Sequence, residues 1–184
     1  MNEACKLDID LDISCLDGVN LPLFRKITRH QKYSKQQGTK YNLLPMDVLL
    51  MPGSRSSDYI VSQLPKSLLQ HEVPELSVLE VTAPIDKDSF LAIHRDLARV
   101  AAINYYIDSD EEEVTSFFDW DDETNTATEK SNFIAKTDET WLLNVSELHS
   151  VKIKAGHTRR ILSMSFTRTN YETIRGLCAS KVHQ

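Results

Sequence analysis

The chain has 184 residues, a formal net charge of −6, and 41% hydrophobic and 26% charged residues. That length suits one domain burying about two-thirds of its unfolded surface, with the composition of an ordinary globular protein. The negative balance argues against non-specific binding to nucleic acid, and no apolar run approaches the ~20 residues of a membrane span.

The opening MNEACKLDIDLD is acidic and lacks the apolar stretch of a secretory leader. The three cysteines, Cys5, Cys15 and Cys178, show no CxxC spacing. Reduced thiols and a cytoplasmic location are therefore expected. The expected organisation is a single domain over 1–184. It comprises an N-terminal extension with a helix (1–75), a β core (76–167) and a C-terminal tail (168–184).

Residues 1–20 alternate Asp with Ile and Leu, the pattern of an edge strand or a partly ordered lead-in. Asp8, Asp10 and Asp12 resemble the start of a calcium loop, but the Gly and distal Glu of that motif are missing. Residues 24–40 are basic, with Arg25, Lys26, Arg29, Lys32, Lys35 and Lys40, and read as a solvated loop before a nucleic-acid or acidic-peptide groove. After Pro52-Gly53, Ser56 or Ser57 is placed to cap a helix from Asp58 to Gln70, which Pro65 would kink or shorten. Its stripe of Tyr59, Ile60, Leu64, Leu68 and Leu69 suits packing against a sheet.

From Pro74 the pattern turns to short strands, expected at 76–83, 90–107, 114–120, 141–145, 149–153 and 159–167. The polar stretch 121–140 suggests a hairpin or flap, and the tail a terminal helical turn or fraying. Strand after strand with little helix predicts a mainly β fold, a sandwich or barrel with helical decoration.

The stretch Phe90–Ile107, FLAIHRDLARVAAINYYI, places His94 and Asp96 two residues apart in apolar surroundings. On a strand, both side chains project from one face. Burying that pair is costly unless something binds it, and a divalent metal is the natural candidate. His149 opens a later alternating strand and could supply a third ligand. Two imidazoles and one carboxylate form a facial triad that leaves coordination positions open. His30, His71, His157 and His183 lie in polar or terminal contexts and read as surface residues. Arg159 and Arg160 open the last strand, and a guanidinium fork suits bidentate capture of a carboxylate. Arg159 shares its face with Ser163 and Ser165 and is favoured, although a bulge near Gly156 would reverse the choice. The acidic patches Asp108–Glu113 and Asp119–Glu123 read as solvated turns.

The order His-x-Asp, distal His, then Arg at the start of a late strand resembles the Fe(II)/2-oxoglutarate-dependent oxygenases. The matching pieces are IHRDLARVAAINYYI, TSFFDW, WLLNVSELHSV and RRILSMSF. The local text is most similar to aspartyl/asparaginyl β-hydroxylase-like proteins and small phage-type 2-oxoglutarate oxygenases. The resemblance implies a double-stranded β-helix (jelly-roll or cupin-like), with His94, Asp96 and His149 as catalytic Fe(II) ligands. It implies Arg159 or Arg160 as the anchor of the 2-oxoglutarate co-substrate, and Asn104, Tyr106, Trp141 and Ser163 as cavity residues. Arg99 reads either as a second anion contact or as a surface salt bridge. The implied activity is hydroxylation by O₂, with decarboxylation of 2-oxoglutarate to succinate. The substrate is unidentified, with a protein or peptide side chain favoured. The alternative is a non-catalytic β-helix module that binds a protein or nucleic acid, for which 24–40 is the candidate surface. A cupin site would want a further His and a Glu, and zinc hydrolase chemistry would not need the arginine.

Overall fold

The computed structural model describes residues 3–16, 24–27, 46–50 and 52–179. Most of the basic 24–40 segment, and His30 and His183, lie outside these residues.

Two antiparallel sheets form the framework. The larger has the strand order β1 (Ala4–Leu7), β9 (Thr140–Leu143), β6 (Ala101–Asp108), β11 (Thr158–Phe166), β4 (Glu75–Thr82), β3 (Met46–Leu50) and β2 (Phe24–Ile27). The smaller has the order β5 (Ser89–His94), β10 (Leu148–Ile153), β7 (Val114–Asp121) and β8 (Thr126–Phe133). The double-stranded β-helix expected from the sequence is therefore the fold. Residues 121–140 supply the β7–β8 hairpin and then lead into β9.

Three α-helices occur among the described residues. α1 (Arg55–Ser62) starts one turn earlier than expected, because the Ser54 side chain, rather than Ser56 or Ser57, accepts from the Ser57 amide at 3.2 Å. The expected single helix is divided. Proline cannot donate an amide hydrogen bond, so the chain breaks before Pro65 and restarts as α2 (Lys66–His71). The tail forms α3 (Tyr171–Ala179), where the Asn170 side chain accepts from the Thr173 amide at 3.0 Å. No helix of the described residues is long and apolar enough to cross a membrane.

The two faces of the larger sheet bury different chemistry. On its outer face, Ile103, Tyr105, Leu142, Leu162, Met164 and Phe166 pack with Ile60, Leu64, Leu68 and Ile174 of the helical layer. This is the main apolar core, and burying each of these large side chains is worth about 1.5–3 kcal/mol. Between the sheets the apolar side chains fall into three smaller clusters, around Leu91 and Val151, around Phe117 and Leu143, and around Tyr106 and Ile161. β11 explains the difference. It is a central strand buried on both sides, with Leu162, Met164 and Phe166 facing the helices and Arg159, Ser163 and Ser165 on the alternate face. The buried polar side chains of this strand, Arg159, Ser163 and Ser165, thus fall on the face between the sheets, whereas Arg160 on the other face is exposed.

Candidate active site

The run from 90 to 107 is not one strand. β5 ends at His94, residues 95–100 form a loop, and β6 resumes in the other sheet. Asp96 therefore lies beyond the strand, and its direction comes from the loop. Its amide donates to the Val145 carbonyl at 3.0 Å, and the Val100 amide donates to Phe166 at 2.8 Å. These two bonds tie the loop to the β9–β10 connection and to the end of β11.

His94 and His149 are opposite one another in the β5–β10 ladder, with ring centroids 4.4 Å apart and planes tilted by 48°. One potential ligand atom from each of His94, Asp96 and His149 lies within 4.8 Å of the other two. His94 Nε2 is 3.8 Å from Asp96 Oδ1. The Nδ1 atoms face backbone carbonyls, Ala92 at 2.6 Å for His94 and Glu147 at 2.9 Å for His149. A carbonyl only accepts, so Nδ1 carries the proton in both rings and Nε2 presents a lone pair. That tautomer is the one required of a histidine that binds a metal through Nε2. Burial, followed by the neighbouring His94, lowers the His149 pKa to about 4, which keeps the ring neutral near pH 7. Phe117 packs beside it, at 6.1 Å between ring centroids.

Burial alone would raise the pKa of Asp96. Arg99, His149 and His94 outweigh it and hold the carboxyl below its ordinary value. Arg99 Nε donates to Asp96 Oδ2 at 2.5 Å, and Nη1 donates to the hydroxyls of Ser163 (2.9 Å) and Ser165 (3.3 Å). Arg99 is thus the ion-pair partner of Asp96, and with the two side chains 13% and 11% exposed the pair is not a surface salt bridge.

The two late arginines separate. Arg160 is exposed and donates from Nε (2.8 Å) and Nη2 (2.6 Å) to Glu80 on β4. Arg159 is only 5% exposed. Its Nε donates to Glu113 Oε1 at 2.8 Å, its Nη2 donates to the Tyr106 hydroxyl at 3.2 Å, and its guanidinium lies 5.3 Å from the Tyr106 ring centroid. Glu113 is 2% exposed, so the reading of 108–113 as a solvated turn is corrected at that residue. The chain turns inward there because the amides of Glu112 and Glu113 both donate to Asp110 Oδ1, at 2.8 and 2.7 Å. The only sequence signal for Glu113 was its place directly before β7, where an inward arginine would need a counter-charge.

The four cavity residues expected by resemblance are brought onto neighbouring strands. Trp141 pairs with Asn104, and Asn104 pairs with Ser163, across β9, β6 and β11, while Tyr106 pairs with Ile161 one step along. Asn104 Oδ1 is buried and accepts no hydrogen bond from the protein. A buried, unsatisfied acceptor on this row suits a bound polar ligand. His71 and His157 are exposed, as expected, but His157 Nδ1 lies 3.2 Å from Asp110 Oδ2.

No family model matches the sequence, and no curated protein matches it. Among solved structures, it resembles a prolyl hydroxylase from Trichoplax adhaerens in complex with a hypoxia inducible factor oxygen degradation domain peptide fragment. The TM-score is 0.50 at 14% identity, covering 96% of this chain and 87% of that one. A 2OG-Fe(II) oxygenase family oxidoreductase from Burkholderia pseudomallei gives 0.49 at 12% identity, covering 86% and 79%. A Pseudomonas putida prolyl-4-hydroxylase gives 0.43 at 12%, covering 74% and 81%. The likeness is one of fold: the chain has the double-stranded β-helix on which 2-oxoglutarate oxygenases are built. On that fold it carries a His-Asp-His group able to hold a metal.

Proposed function

We propose that the chain is an Fe(II)- and 2-oxoglutarate-dependent dioxygenase that hydroxylates a protein or peptide side chain. The observation that carries this reading is the convergence of His94, Asp96 and His149, with both imidazole Nε2 atoms left as lone-pair donors. Two neutral imidazoles and one carboxylate are a donor set suited to Fe(II) with open positions. A peptide substrate is suggested by the peptide bound to the T. adhaerens enzyme.

In this reading Nε2 of His94, Nε2 of His149 and Oδ1 of Asp96 hold the iron. Arg159 and the Tyr106 hydroxyl take the distal carboxylate of 2-oxoglutarate. Bound there, the iron and its co-substrate supply O₂ activation coupled to decarboxylation of 2-oxoglutarate to succinate. The protein supplies orientation. Arg99 occupies Asp96 Oδ2, so that Oδ1 faces His94. The carbonyls of Ala92 and Glu147 fix the two imidazole tautomers. Phe117 and the apolar residues around it keep water from the His149 side. The Asn104 amide oxygen and the Ser163 hydroxyl offer polar contacts to whatever binds between the sheets.

The test is succinate release from 2-oxoglutarate with Fe(II) and O₂, measured on the wild type and on His94→Ala and Asp96→Ala. Release by the wild type that both variants abolish is expected. A wild type that neither binds the metal nor turns over contradicts the reading.

A further inference from the structure

We propose that Glu113 is a resident counter-ion of Arg159, so that a dicarboxylic 2-oxo acid binds there only with uptake of a proton by Glu113. This rests on the function proposed above and names the residue that sets co-substrate affinity.

The argument is one of charge in a closed space. Arg159 and Glu113 are both buried and joined by an Nε–Oε1 bond of 2.8 Å. The remaining described contact of the guanidinium is the Tyr106 hydroxyl, which is neutral. The cation is thus already balanced before any ligand arrives. A distal carboxylate on the same guanidinium would set two anions against one cation, and an uncompensated buried charge is strongly unfavourable. Two carboxylates sharing one site are relieved when one of them takes a proton. Protonated Glu113 would still accept from Arg159 through one oxygen and could donate from the other to the incoming carboxylate.

The surroundings push the same way. Asp108, at the end of β6, and Asp110, on the β6–β7 connection, add negative charge near Glu113. The nearby basic side chains have other partners: His157 lies against Asp110, Lys154 against Glu112, and Arg160 against Glu80. Among the described residues, Arg159 is the one cation that pairs with Glu113. Burial raises the pKa of Glu113 above the ordinary value despite Arg159. Above that raised value Glu113 is ionised, so ligand binding must draw a proton from solution. Affinity then falls as pH rises, by up to about tenfold per unit.

The test is calorimetric titration of 2-oxoglutarate into the Mn(II)-loaded full chain, in buffers of different ionisation enthalpy, between about pH 6 and pH 8.5. The proposal expects uptake of roughly one proton per ligand and an affinity that declines with pH. It also expects Glu113→Gln to bind at least about tenfold more tightly, with no uptake and no pH dependence. Binding by the wild type without proton uptake overturns the proposal, as does a folded Glu113→Gln that binds equally or more weakly. Should that variant not fold, the wild-type proton count decides alone. If the wild type takes up no Mn(II), or takes up Mn(II) but no 2-oxoglutarate, the co-substrate reading falls and the proposal with it. Binding of both without proton uptake removes the proposal only.

Discussion

His149 faces His94 across the β5–β10 ladder because β5 carries one extra residue. The register pairs His149 with His94 but Val151 with Leu91, three residues of β5 against two of β10. In an unbulged strand Leu91 and His94, three apart, would point to opposite faces. The bulge puts them on the same face and re-aims the imidazole toward His149. The Ser150 hydroxyl donates to the Leu91 carbonyl at 2.5 Å and fastens the irregularity.

The first prediction concerns Arg99. Its guanidinium orients Asp96 and satisfies Ser163 and Ser165 from one position. Outer partners of metal ligands typically carry about 10–100-fold in metal affinity. Arg99→Ala is therefore expected to weaken Mn(II) binding by that order while leaving a folded protein, as measured by calorimetry and circular dichroism.

His149 makes a pH prediction for the metal-free chain. Its folded pKa is about 4, lowered by burial and by His94, against 6.5 for an exposed histidine. Between those values the unfolded chain binds a proton that the folded chain does not. Stability is therefore lost as pH falls from about 6.5 to about 4, by about 3 kcal/mol at most. Urea denaturation at a series of pH values should show this slope in the wild type and less of it in His149→Gln.

The carboxylate of Glu72 should act as a clamp on the C-terminal segment. It accepts from the Thr167 amide and hydroxyl and from the amides of Arg168 and Thr169, at 2.8 to 3.1 Å. Burial works against the ionised form, but these bonds win and lower its pKa to about 2. A depressed carboxylate stabilises above its unfolded pKa and loses that contribution as pH falls through the folded one. Glu72→Gln is expected to cost on the order of 2–3 kcal/mol at pH 7, with correspondingly less acid sensitivity, by the same denaturation series.

The arginines at 159 and 160 should differ sharply under substitution. Arg160 and Glu80 are an exposed pair, so Arg160→Ala is expected to change stability by less than about 1 kcal/mol and leave 2-oxoglutarate binding intact. Arg159→Ala would strand buried Glu113 without its cation, with an expected loss of about 3–5 kcal/mol. Thermal denaturation of the two variants compares them directly.

The sequence carried the strand sequence of the core and the likelihood that His94, Asp96 and His149 belong together, since apolar alternation and side-chain type are local properties. What it concealed was set by tertiary contact. The break between His94 and Ala101 contains no Gly or Pro, so Phe90–Ile107 read as one strand although its halves lie in different sheets. Glu113 looked like the end of an acidic turn, because nothing adjacent in the chain indicates that Arg159, 46 residues later, will be buried against it. Which of Arg159 and Arg160 points inward turned on strand parity and on the serines sharing the face of Arg159, and it is Arg159 that is buried. Glu72 was hidden for the same reason as Glu113: its partners lie 95 to 97 residues away.

The account depends on one ion being shared by three side chains, and a crystal structure of the chain soaked with Mn(II) and 2-oxoglutarate tests that most directly. The anomalous signal is expected as a single peak within bonding distance of His94 Nε2, His149 Nε2 and an Asp96 carboxylate oxygen, with the distal carboxylate of the co-substrate on Arg159. A peak elsewhere, or His149 turned away from the metal, would contradict it.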